Sequence, residues 1–77
     1  MTTPEQLRAA RALIGMSQPA VAEAAGVSAI TVKRAEGSAK PSASVDAIAA
    51  IRAALEGAGV VFLPENGNGP GVAMRKG

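Results

Sequence analysis

The stretch Ser17-Gln18-Pro19-Ala20-Val21-Ala22-Glu23-Ala24-Ala25-Gly26-Val27-Ser28-Ala29-Ile30-Thr31-Val32-Lys33-Arg34-Ala35-Glu36-Gly37 decides how this chain is read. Ser17 suits an N-cap, and Pro19 is tolerated in the first turn of a helix. That helix stops at Gly26 after about eight residues. Ser28 caps a second short helix running from Ala29 to about Glu36, and Gly37 ends it. Val21, Ala22 and Ala25 face inward from the first helix, and Val32 and Ala35 from the second. Ala22 is small enough for a close helix crossing. Gly26 permits the tight turn, and Val27 can pack into the angle. Two short helices around a glycine-centred turn form a helix-turn-helix layout. The remaining face of the second helix, Ala29, Ile30, Lys33 and Arg34, is left to point outward.

On the N-terminal side, Thr3, Pro4 and Glu5 open a helix, with Gln6 at capping-box spacing from Thr3. Leu7, Ala10, Leu13 and Ile14 form its apolar stripe, and Gly15 ends it. On the C-terminal side, residues 38–42 read as a loop. Ser42 or Ser44 then caps a fourth helix with the stripe Val45, Ile48, Ile51 and Leu55, terminated by Gly57 and Gly59. Val60-Val61-Phe62-Leu63 reads as a short strand, Pro64 to Gly71 as a turn or flexible loop, and Val72 to Arg75 as a second strand. The expected fold class is mainly α, with four helices and a short C-terminal β-strand or hairpin. Residues 1–57 are expected to form the helix-turn-helix domain and residues 58–77 a C-terminal β segment serving dimerisation.

Composition narrows the function. The 77 residues contain no Cys and no His, which removes a disulfide framework and the commonest metal ligand and general base. The carboxylates are scattered without a catalytic pairing, and residues 67–71 lack the Gly-Lys-Ser/Thr ending of a phosphate loop. No enzyme activity, metal or cofactor is expected. No apolar run approaches a membrane span and no signal peptide is evident, so a cytoplasmic protein is expected. The net charge is only +2, and the segment from Ser28 to Ser44 accounts for as much, with Lys33, Arg34 and Lys40 against Glu36. Of 37 apolar residues 18 are Ala, which makes for a thin core and favours support from a second subunit.

From about Leu7 to Leu55 the sequence resembles the Xre/Cro family of helix-turn-helix proteins, which includes the lambdoid phage repressors. The Ser-Gln opening at Ser17-Gln18, the Ala-x-x-x-Gly-Val-Ser turn at 22–28 and the Glu-Gly close at Glu36-Gly37 carry the resemblance. The ending from Glu65-Asn66-Gly67 to Gly71-Val72 also resembles small single-domain bacterial members. The resemblance implies a four-helix lambda-repressor-like domain binding double-stranded DNA. In such a domain Ala29, Ile30, Lys33 and Arg34 meet base edges. Ala29 and Ile30 depart from the more polar phage pattern, cannot donate hydrogen bonds, and could pack on thymine methyls. Arg34 favours guanine. Ser17, Gln18, Ser28, Thr31, Ser38 and Lys40 match positions on the DNA backbone, with Gln18 also bracing the recognition helix. Arg11 and Glu36 match a structural ion pair.

A single such motif reads few bases, so a homodimer on a palindromic operator is expected. An unpaired apolar strand is an aggregation hazard. Pairing of Val60 to Leu63 with the chain's own second strand, with a partner's strand, or with both would remove it. Val60, Val61, Phe62, Leu63, Val72 and Met74 are the candidate interface, with the fourth helix as the alternative. The expected function is transcription regulation, by repression in the usual family manner, at the nucleoid when bound to DNA. Two other readings stay open. One is a protein-interaction module such as an antitoxin or anti-activator. The other is an adaptor that recruits polymerase or another regulator.

Overall fold

The computed structural model of the chain describes residues 2–64, 67 and 69–75. Four helices lead into a hairpin: α1 (Pro4–Ile14), α2 (Gln18–Ala25), α3 (Ala29–Ala35), α4 (Val45–Gly57), β1 (Val60–Leu63) and β2 (Gly71–Met74). The fold is mainly helical with a short antiparallel hairpin, as the sequence implies. Among the described residues no helix is long and apolar enough to cross a membrane.

Each helix starts on a hydroxyl that accepts a backbone N–H three residues on, from Thr3, Ser17, Ser28 and Ser44. This resolves the choice between Ser42 and Ser44, since Ala47 N donates to Ser44 Oγ at 3.1 Å. The turn after α2 needs its glycine. Gly26 sits at φ 72°, and the next residue, Val27, donates its N–H to Ala22 O at 3.0 Å. The helix end is thereby closed and Val27 is drawn against the core. Gly37 repeats the device after α3 at φ 80°, with Ser38 N donating to Lys33 O at 2.9 Å.

The core joins all six elements. Leu7 and Ala10 of α1, Val21 and Ala22 of α2, Val32 and Ala35 of α3, and Ile51 and Leu55 of α4 meet Val60 and Phe62 of β1, with Val72 of β2 packed alongside. Two apolar residues placed inward by spacing alone lie outside it. Leu13 is 46% exposed, because the α1 stripe continues from Ala10 through Ile14 instead. Val45 is 83% exposed, because it occupies the first turn of α4, beyond the elements packed on that helix. With Thr2, Ile48, Ala49 and Arg52 it lines an open cleft of about 400 Å³.

The hairpin pairs β1 with β2 of the same chain, Val60 opposite Met74 and Leu63 opposite Gly71. Alternation along β1 buries Val60 and Phe62 and leaves Val61 and Leu63 outward. Two of the six proposed interface residues, Val60 and Phe62, are therefore occupied within their own subunit. Val72 is only partly buried, while Val61, Leu63 and Met74 remain exposed. The core also runs across the boundary drawn at residue 57, since β1 completes it. Of the C-terminal stretch resembling single-domain relatives, Glu65, Asn66 and Asn68 lie outside the described residues.

Gln6 fastens the hairpin to α1. Its Oε1 accepts from Thr3 N at 2.9 Å, and its backbone N–H donates to Thr3 Oγ1 at 3.1 Å, which completes the capping box. Its Nε2 donates to Leu63 O at 3.1 Å and to Gly71 O at 3.0 Å, one acceptor on each strand. Arg52 closes the other side. It donates to Thr2 Oγ1 at 2.8 Å, pairs with Glu56 at 3.2 Å, and lies 4.8 Å from the Phe62 ring centroid.

Candidate nucleic-acid interface

With only seven residues, α3 is too short to hold its shape by helix propensity, so tertiary contacts must fix it. Val32 and Ala35 anchor its inner face in the core. Its last residues are held by a polar knot centred on Glu36, which is 2% exposed. Arg11 grips the Glu36 carboxylate with two nitrogens, Nε at 2.8 Å and Nη2 at 3.2 Å. Gln18 Nε2 donates to the same carboxylate at 3.0 Å. The ion pair proposed between Arg11 and Glu36 thus forms, and Gln18 braces it. Hydrogen bonding to Glu36 raises the Arg11 pKa, opposed by burial and reinforced by the carboxylate's charge. A raised arginine pKa leaves the pair intact up to strongly alkaline pH.

Arg8 completes the knot, which the motif residues alone do not reveal. Its Nη1 donates to the backbone carbonyl of Glu36, beyond the C-terminus of α3. The one available signal was its position three residues before Arg11, on the same helical face. Arg8 also lies 3.7 Å from Glu5, an exposed pair of little energetic weight.

The opposite face of α3 carries the four residues assigned to base edges. Ala29, Ile30 and Lys33 are exposed and Arg34 is half-buried. They fall in two patches. The first turn presents the Ala29 methyl and the Ile30 side chain, which is 42% exposed. The last turn presents Lys33 and Arg34. Arg34 Nε is buried without a hydrogen-bond partner. Of the guanidinium nitrogens, Nη1 and Nη2 are thus the ones left to meet a ligand.

The residues assigned to the DNA backbone flank this face. Ser17 Oγ caps α2, accepting from Ala20 N at 3.2 Å, and keeps its hydroxyl proton to donate. Gln18 commits one amide hydrogen to Glu36 and retains the other. Ser28 and Thr31 join their hydroxyls at 2.8 Å, and Ser28 Oγ also accepts Thr31 N at 3.3 Å. Ser38 and Lys40 are exposed in the loop after α3. Between Ser28 and Ser44 the only acid, Glu36, is buried against Arg11, so every exposed charge there is positive.

No protein-family model and no curated protein sequence matches this chain.

Proposed function

We propose that this protein is a sequence-specific double-stranded DNA-binding transcription regulator that lays α3 in the major groove. The observation that carries the reading is the state of Glu36. Its charge is consumed internally by Arg11, so Lys33, Arg34 and Lys40 present an unopposed positive surface on and just after an outward-facing helix. The helix-turn-helix layout and the resemblance to Xre/Cro proteins support the same reading. Ser17, Gln18, Ser28, Thr31, Ser38 and Lys40 would take phosphates, and Ala29, Ile30, Lys33 and Arg34 the bases. The start of α2 has no acidic side chain in its first turn, which suits phosphate approach.

Repression at a palindromic operator, by a homodimer, is the form this activity takes in our reading. Two seams are available to a dimer: the outward hairpin face with Val61 and Leu63, and the α4 cleft beside Val45. The cytoplasm, at the nucleoid, is the corresponding location.

Binding to a random-sequence duplex across a salt series tests the proposal. Affinity should fall steeply as salt rises, with a log–log slope of about −0.9 for each phosphate neutralised. Salt-insensitive binding, or none at low salt, overturns it. The rival is a protein partner seated on the same face, favoured by the exposed Ile30. An adaptor or antitoxin role would be the result if protein, and not DNA, competes for that surface.

A further inference from the structure

We infer that the α3 face reads a 5-methylpyrimidine close to a guanine, and that it accepts 5-methylcytosine in place of thymine. This rests on the DNA-binding reading above and names the kind of site it selects. Three observations carry it.

The first turn of α3 offers base edges the hydrocarbon of Ala29 and Ile30. The Ser28 and Thr31 hydroxyls share one hydrogen bond at 2.8 Å, which leaves a single hydroxyl proton for the phosphate contact proposed for them. No Asn or Gln stands on this helix, so the usual paired contact to adenine is missing. What remains is the Ala29 methyl and the exposed Ile30 side chain. In the major groove the matching apolar feature is the C5-methyl group of a pyrimidine. Thymine carries it, and 5-methylcytosine carries it at the same ring position.

The second patch is a terminal guanidinium. With Arg34 Nε buried, Nη1 and Nη2 form the available fork, which suits guanine O6 and N7 approached end-on.

The third observation is spacing. Ile30 and Arg34 lie four residues apart on one helix, about 6 Å along its axis. That corresponds to one or two base-pair steps at about 3.4 Å each. The methyl contact and the guanine contact are therefore expected within about two base pairs of each other, and cytosine without a methyl leaves Ile30 unpacked.

The test begins by selecting duplexes from a random pool with the full chain, then remaking the winner with deoxyuridine for each thymine in turn. Removing the contacted methyl should weaken binding about fourfold, the equivalent of withdrawing one methyl from an apolar contact. A cytosine at that position should show the same loss, and 5-methylcytosine should restore it. Ile30→Ala should bind the thymine and uracil forms equally, and the exposed side chain makes the variant a benign one for folding. An enriched site that binds equally well in uracil form, or that lacks a thymine close to a guanine, overturns this inference and leaves DNA binding standing. A pool with no enrichment overturns both.

Discussion

Two buried polar side chains hold this small protein together, and they do so by different chemistry. Glu36 is a charge held by three hydrogen bonds from Arg11 and Gln18, and its knot fixes the end of α3 to α1 and α2. Gln6 is a neutral amide that holds both hairpin strands to the start of α1. A buried charge deprived of its partner keeps its full desolvation cost, whereas an amide leaves only ordinary hydrogen-bond groups unmet. Helix α3 therefore rests on the stiffer joint, and the hairpin on the more forgiving one.

The widest break in this comparison is removal of the hairpin. A chain ending at Gly59 loses Val60 and Phe62, each worth roughly 1.5–3 kcal/mol when buried. For a domain whose whole stability is expected near the low end of about 5–15 kcal/mol, that loss should leave no cooperative thermal transition by circular dichroism. A truncated chain that still melts cooperatively would return the hairpin to the status of an appendage.

Arg11→Ala comes next. It strands the Glu36 carboxylate and should cost about 3–5 kcal/mol in denaturant unfolding. The double variant Arg11→Met with Glu36→Leu should recover most of that loss, since no buried charge is left behind. Failure to recover would mean that geometry, not charge, sets the strength of this joint.

Gln6→Ala should cost less, about 1–3 kcal/mol, by leaving the carbonyls of Leu63 and Gly71 without their donor. Hydrogen exchange sharpens the contrast. Amides of β1 and β2 should exchange faster while those of α3 stay protected, and equal loosening of both would merge the two joints into one.

The smallest effect on folding belongs to Val61→Lys with Leu63→Lys. Both residues point away from the core, so stability should stay within about 0.5 kcal/mol of the parent per site. Sedimentation then tests the proposed dimer seam, since a dimer that persists unchanged would direct attention to the α4 cleft.

Much of the fold was legible because it is local. Thr3, Ser17, Ser28 and Ser44 announce helix starts through contacts three residues long, and Gly26 and Gly37 announce stops through their own backbone angles. The outward face of α3 follows from the inward placement of Val32 and Ala35 on the same turns. What stayed hidden depends on approach between distant segments. Spacing assigns Leu13 and Val45 to a stripe, but only packing decides where the covering elements run out. The capping box revealed one task of Gln6, while its second task lies 57 and 65 residues away. The Arg8 contact to Glu36 spans 28 residues, and the pairing of the Ser28 and Thr31 hydroxyls depends on rotamers that composition does not encode.

The way α3 is held has an evolutionary consequence. Its cap, its core anchors and its terminal knot use Ser28, Val32, Ala35 and Glu36, none of which lies on the outward face. The residues proposed to meet bases and the residues that hold the helix are thereby different ones. A library randomised at Ala29, Ile30, Lys33 and Arg34 should yield mostly folded proteins, so the outward face is free to change chemistry without loss of the fold.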